Sequence, residues 1–131
     1  MEISLRGKTA IVTGASRGIG KAIAKSFVDA GAQVMLTSRK LDALQAAAKE
    51  MDGETDVFAA NAGEIDQAQA CIDATIKRFG KIDILVNNAA TNPYYGETLG
   101  VDSARFDKTF QVNLKGPLFW SQAVWNASMQ K

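Results

Sequence analysis

No histidine occurs anywhere in the 131 residues, and there is a single cysteine, Cys71. The first absence excludes Ser-His and Cys-His nucleophilic pairs, imidazole-built zinc sites and histidine general-base chemistry, so no metal site is expected. The second excludes an internal disulfide and fits a reducing, cytoplasmic compartment, where Cys71 is read as core filler on a helix. An excess of one charge is also lacking. Lys and Arg number 15 against 14 Asp and Glu, a net +1, so no electrostatic footprint for nucleic acid or an anionic membrane is present. No apolar run approaches a membrane span, and no long apolar segment opens the chain, so neither a span nor a signal peptide is expected. What is there, 47% hydrophobic and 22% charged residues, is the balance of a folded, soluble, single domain covering residues 1–131.

Strand-like and helix-like segments alternate along the whole chain. Thr9 to Thr13 is a short apolar run, as a buried parallel strand should be. Ile19, Ile23 and Phe27 then recur every fourth residue, and Gly31 supplies a helix stop. Val34 to Leu36 reads as a second strand, with Leu41, Leu44, Ala48 and Met51 as one face of a second helix ended by Asp52-Gly53. Val57 to Ala60 reads as a third strand. Ile65, Ala68, Ile72, Ile76 and Phe79 form a third helical stripe closed by Gly80, and Ile84 to Val86 a fourth strand. After a loop containing Pro93 and Gly96, a helix is expected from Asp102, a plausible N-cap, with Pro117 kinking or restarting it. Four βα units in succession predict an α/β fold of Rossmann type, a doubly wound parallel sheet in the order 3-2-1-4. The switch point of such a sheet lies at the carboxyl ends of strands one and four, where ligands bind.

The turn at that point reads Thr13-Gly14-Ala15-Ser16-Arg17-Gly18-Ile19-Gly20. Gly14 lets the strand turn sharply, Gly18 removes a side chain where backbone must approach a pyrophosphate, and Gly20 lets the first helical turn pack closely. Exposed N–H groups and the helix dipole there favour an anion. A tight βα turn with no ligand is the alternative. The spacing is Gly-x-x-x-Gly-x-Gly, neither the Gly-x-Gly-x-x-Gly of larger dehydrogenases nor a P-loop. With Asn87-Asn88-Ala89-Ala90 after the fourth strand and Asn113 in Val112-Asn113-Leu114-Lys115-Gly116-Pro117, the chain resembles the short-chain dehydrogenase/reductases of classical type over about residues 6 to 130. Their motifs are Thr-Gly-x-x-x-Gly-x-Gly and Asn-Asn-Ala-Gly, from which Ala90 departs.

An acid ending the second strand, as NAD-preferring sites use for the ribose 2′-hydroxyl, is missing: the place reads Thr37-Ser38-Arg39-Lys40. Arg39, with Arg17 in the turn, can pair with a 2′-phosphate, since a guanidinium donates several hydrogen bonds in one plane. NADP(H) is therefore expected over NAD(H), the alternative being that Arg39 and Lys40 are solvated residues opening the second helix. The resemblance implies further that Asn61 accepts from the adenine amino group where the family usually has aspartate, and that Ala62 supplies backbone beside it. By the same resemblance Gly14, Ser16, Ser38, Asn88 and Ala89 belong to the cofactor site, with Asn88 and Ala89 lining the adenosine ribose and Ile19 underlying the nicotinamide. The alternative for Asn87 and Asn88 is a polar strand end satisfying its own loop.

The family reduces carbonyls with a nicotinamide hydride and a tyrosine proton, the tyrosine followed four residues on by lysine. Tyr94 and Tyr95, the two tyrosines, are followed at that distance by Thr98 and Leu99, so neither is the proton donor. Of the catalytic set only Asn113 is present by resemblance, where it supports a proton-relaying water; its alternative is a helix-kink residue near Pro117. The chain thus reads as the amino-terminal, cofactor-binding part of an NADP(H)-dependent oxidoreductase interconverting a carbonyl and an alcohol, stopping at Lys131 before the family's fifth strand. Arg39-Lys40 and Asn92-Pro93-Tyr94-Tyr95-Gly96 give a likeness to the branch reducing ketones, retinal-type carbonyls and quinones, with 3-oxoacyl reductases close behind. A second reading is a non-catalytic NADP-binding or scaffold fragment. A third, a methyltransferase using adenosylmethionine, predicts an acid ending the second strand, which Arg39 contradicts. Leu118, Phe119, Trp120, Ala123, Val124, Trp125 and Met129 make the last helix apolar nearly all round, implying by resemblance a homo-oligomer, a dimer or tetramer, through that helix.

Overall fold

The structure, a computed structural model, describes residues 2–130. Its centre is β1, Thr9–Thr13, buried along its whole length. On one side lies β2 (Gln33–Ser38) and beyond it β3 (Thr55–Ala59); on the other lies β4 (Ile84–Val86), so the order is β3-β2-β1-β4. All pairings are parallel, with Ala10 opposite Val34 and Ile84, and Leu36 opposite Val57.

The helices divide between the two faces. Helices α1 (Gly18–Asp29) and α2 (Leu41–Lys49) cover Ala10, Val12, Val34 and Leu36 with Ala24, Val28, Leu44 and Ala47. The other face, Ile11 and Met35, packs against Ala68, Cys71 and Ile72 of α3 (Ile65–Phe79) and against Trp120 and Val124. Burial on both faces is why the central strands read as unbroken apolar runs rather than alternating ones. Cys71 is fully buried in this second cluster.

Two glycines end helices in the left-handed conformation that side chains disfavour: Gly31, φ +100°, after α1, and Gly80, φ +88°, whose N–H donates to the Ile76 carbonyl at 2.7 Å. Helix α4, Ser103–Phe110, starts on Asp102, whose carboxylate accepts from the Arg105 N–H at 2.7 Å. A π-helical turn, Gln111–Lys115, joins α4 to α5 (Gly116–Val124). Pro117 explains it. Its ring would crowd the carbonyl four residues back and it has no N–H to give, so the helix widens before it and restarts with proline in its first turn. In the widened turn the Gly116 N–H reaches back to the Gln111 carbonyl. A second π turn, Trp125–Met129, ends the described chain.

Several boundaries differ from the sequence reading. β3 begins at Thr55 rather than Val57, because Asp56 sits on the sheet's edge strand with its carboxylate near Arg78 (3.7 Å), where a polar residue can face solvent. β2 runs on to Ser38. In α2 the buried residues are Leu44 and Ala47, while Leu41 is half exposed. The last helix buries Trp120 and Val124 and leaves Leu118 and Trp125 half exposed. Among the described residues, no helix is long and apolar enough to cross a membrane.

Candidate functional site

A cleft of about 570 Å³ opens at the carboxyl ends of the strands. Its floor is the turn from β1 to α1, Thr13 to Ile19; one wall is the end of β2, Thr37 to Lys40, and another is Ala60 to Ala62 after β3. Asn88 to Thr91 after β4 completes the rim, with Lys108, Val112 and Trp120 contributed by the last helices. The volume is in the range of small-molecule and cofactor sites, roughly 300–1,000 Å³.

The turn's shape follows from its glycines. Gly14 has φ +63° and Gly18 φ +59°, both left-handed. A Cβ on Gly18 would meet nothing within 4 Å, so that position leaves the cleft open at the start of α1. Gly20 is different: it is buried under the turn, and a Cβ there would run into the Gly14 carbonyl and approach Asn88 Nδ2 to 2.5 Å. It shapes the floor without lining it. No side chain caps the first N–H groups of α1, since Arg17 at the N-cap makes no such bond, and the residues of that turn, Gly18 and Ile19, line the cleft.

Asn88 and Thr13 lock the rim. The Thr13 hydroxyl accepts from the N–H groups of Asn88 (3.0 Å) and Ala89 (2.9 Å) and donates to the Val86 carbonyl at 3.3 Å. Asn88 Nδ2 donates to the carbonyls of Thr13 and Gly14, both at 3.2 Å. The amide of Asn88 therefore ties the end of β4 to the turn after β1, as the polar-strand-end alternative has it, while Asn88 also faces the cleft. Thr13 reads in sequence as one more residue of an apolar run, and only the β1–β4 pairing shows what its hydroxyl does.

Four basic side chains line the cleft, Arg17, Arg39, Lys40 and Lys108, and no acidic one. Among the described residues none of the four takes part in an ion pair. Ser38 Oγ is buried at the cleft wall with no hydrogen-bond partner, an arrangement that ordinarily calls for an explanation. Thr37 Oγ1 is likewise unpartnered. It stands beside the Cys71 thiol and favours that thiol's ionised form without making a hydrogen bond of full geometry. Burial pushes Cys71 up to about 12, against the opposing hydroxyls of Thr37 and Thr75, so this thiol stays protonated and inert.

Three of the expected residues also carry contacts within the chain that the sequence does not show. Asn61 Oδ1 already accepts from the Gly63 N–H at 2.9 Å, forming a local turn, so a ligand would take its second lone pair. The Ala62 carbonyl accepts from Trp120 Nε1 at 3.1 Å, which leaves the N–H side of that residue for a ligand. Asn113 does not line the cleft. From the π turn its carboxamide accepts from the Thr91 N–H (2.7 Å) and donates to the Thr91 carbonyl (2.8 Å), clamping the loop after β4. Lys108, Val112 and Trp120 had no signal as site residues in the sequence. They reach the cleft only because α4 and α5 fold back over the end of β3.

A sequence model of the short chain dehydrogenase family matches residues 8–131. The chain belongs to that family. Among short-chain dehydrogenases it is 42% identical over 113 residues to the dehydrogenase/reductase SDR family member 4 of Caenorhabditis elegans, covering 83% of this chain and 44% of that protein. Two solved family structures are similar. A metagenomic short-chain oxidoreductase in complex with NADP is 35% identical with TM-score 0.88, covering 97% of this chain and 58% of that one. A 3-ketoacyl-(acyl-carrier-protein) reductase from Brucella melitensis complexed with NADH is 33% identical with TM-score 0.87, covering 91% and 49%. The chain spans about half the length of the curated relatives it matches.

Proposed function

We propose that the chain forms the NADP(H)-binding part of an oxidoreductase that interconverts a carbonyl and an alcohol. The observation that carries the reading is the wall after β2: the buried, unpartnered hydroxyl of Ser38 beside Arg39 and Lys40, with no carboxylate among the cleft's lining. A ribose 2′-hydroxyl would find no acid here to accept its proton, whereas a 2′-phosphate would meet a donor hydroxyl and a guanidinium fork. The residues present fit the rest of the group as well. The open position at Gly18 and the uncapped first turn of α1 suit a pyrophosphate, and Asn61 and the Ala62 N–H suit the adenine edge. Arg17 neutralises phosphate charge from the turn.

When bound, the nicotinamide supplies the hydride. This chain's contribution is to hold the cofactor's ends: Ile19, three-quarters exposed at the mouth of the cleft, offers the nicotinamide an apolar face, and Asn88 and Ala89 line the ribose next to the turn. Asn113 acts by positioning, fixing the Thr91 loop that borders the cleft. A proton donor is not among these residues. Tyr94 donates its hydroxyl to the Glu97 carbonyl at 2.8 Å and Tyr95 is fully exposed, so the chain by itself is expected to bind cofactor without turning over a carbonyl. Phe106, Phe110, Leu114 and Leu118, at four-residue spacing and each about half exposed or more, form an apolar stripe suited to a second copy of the chain. The buried single thiol suits the cytoplasm.

The test is Arg39→Asp. Removing a charge-assisted contact and adding repulsion should weaken NADPH binding by roughly 10- to 100-fold, with NADH affected only a few-fold. Equal losses for the two dinucleotides would refute the 2′-phosphate assignment.

A further inference from the structure

Helix α4 roofs one side of the cleft, and its docking fixes which side. Gln111 Nε2 donates to the Gly63 carbonyl at 3.0 Å and approaches Glu64 Oε1 at 3.3 Å, while a Cβ on Gly63 would lie 3.2 Å from Val112 Cγ2. The carboxyl end of α4 is thus seated on the loop after β3, next to the strand that ends in Ser38 and leads into Arg39. Lys108 stands four residues before Val112, on the same helix face, and both line the cleft. The neighbouring acid does not cancel the Lys108 charge. Asp107 lines a separate groove on the other side of the helix, with Phe110 and Leu114, and is not among the cleft's lining residues. Among the described residues Lys108 makes no ion pair and no side-chain hydrogen bond.

We propose that Lys108 is a further binding residue of this site, a point charge from α4 in the cleft that Arg39 also lines, and that with Arg39 it selects for a dinucleotide carrying an anion on its adenosine ribose. The proposal rests on the NADP(H) reading of the cleft and adds a residue from outside the strand-end segments that otherwise build it. An ammonium on a flexible stem recognises phosphate by charge rather than by planar geometry, so Lys108 and Arg39 divide the work: Arg39 fixes the phosphate's orientation, and Lys108 supplies long-range attraction and closes the adenosine end. Because Lys108 is exposed, its effect is screened by salt and smaller than that of Arg39.

The experiment is calorimetric titration of the chain and of its Lys108→Gln and Lys108→Arg variants with NADPH and with NADH, at low and at high salt. Lys108→Gln should weaken NADPH binding by roughly three- to tenfold at low salt and NADH by twofold or less, as expected for a nearby unpaired charge. Lys108→Arg should restore NADPH affinity, and the difference should shrink at high salt. Equal loss of both dinucleotides, or a loss that arginine does not rescue, would show a packing role and overturn the proposal. An unchanged NADPH affinity in Lys108→Gln would overturn it too, while leaving the underlying cofactor reading intact. If the unsubstituted chain bound NADH as tightly as NADPH, that underlying reading would fail, and the proposal with it. Lys108 is an exposed helical residue without partners, so glutamine leaves the fold as it is, which the melting temperature checks.

Discussion

Replacing Gly20 by alanine is expected to unfold the floor of the cleft from beneath, although alanine is the better helix former. Gly20 lies in the first turn of α1, and the exchange should gain about 1 kcal/mol in helix propensity. Against this, the new methyl would sit 2.5 Å from Asn88 Nδ2 and 2.8 Å from the carbonyl carbon of Gly14, and closer still to the Gly14 oxygen. Two of these neighbours are backbone, so neither can swing aside as a flexible side chain would. Relief requires α1 to shift from the turn, an overpacking penalty of about 1–3 kcal/mol. It also requires Asn88 to release its two bonds to Thr13 and Gly14, each contributing about 1 kcal/mol. The net expectation is a loss of about 2–4 kcal/mol, which for a domain of this size lowers the melting temperature by roughly 6–15 °C. Gly18→Ala is the matched control. Its methyl would meet nothing, and only the left-handed backbone at φ +59° opposes it, by about 1–2 kcal/mol. That methyl projects into the cleft, so this variant should keep most stability and lose dinucleotide binding. Urea unfolding followed by tryptophan fluorescence reads both, since Trp120 is 2% exposed and packs against the sheet. Equal stability of Gly20→Ala and the unsubstituted chain would refute the close-approach argument.

Thr13→Val keeps the shape of β1 but removes the acceptor for the N–H groups of Asn88 and Ala89, so stability should fall by about 2–4 kcal/mol, as two part-buried donors lose their partner; a change within 0.5 kcal/mol would show that water replaces the hydroxyl. The raised pKa of Cys71 makes a contribution present below the ordinary thiol pKa and lost as pH rises toward about 12, because only the unfolded thiol ionises in between. Cys71→Ala should therefore flatten the alkaline fall in stability by up to about 1.4 kcal/mol per pH unit between roughly pH 9 and 12, measured by urea unfolding across that range, and an unchanged slope would contradict the burial of the thiol.

The sheet order was legible because alternation of apolar runs with four-residue stripes leaves few topologies once crossovers are right-handed. The glycine turn was legible because strand, glycines and helix lie within a dozen consecutive residues. Legibility ended where the site depends on residues brought together from afar. Thr13 looks apolar by context, and its role emerges only when β4, more than seventy residues on, is laid beside it. The π turn has no periodic signature beyond Pro117, yet its residues Gln111 and Val112 are the ones that meet the loop after β3. Asn113 was placed by motif in the catalytic set; its side chain satisfies Thr91, and that contact belongs to loop geometry that spacing cannot express. Asn61 shows the converse, since an Asn before Ala-Gly forms its own turn first and offers a ligand what remains.

The central claim is that the basic, acid-free wall formed by Ser38, Arg39 and Lys40 is built for an adenosine 2′-phosphate. Its most direct measurement is the dissociation constant of the unsubstituted chain for NADPH and for NADH, taken by calorimetry in one buffer. The account predicts NADPH tighter by roughly tenfold or more, from charge-assisted bonds that NADH cannot make. Equal affinities, or tighter binding of NADH, would contradict it.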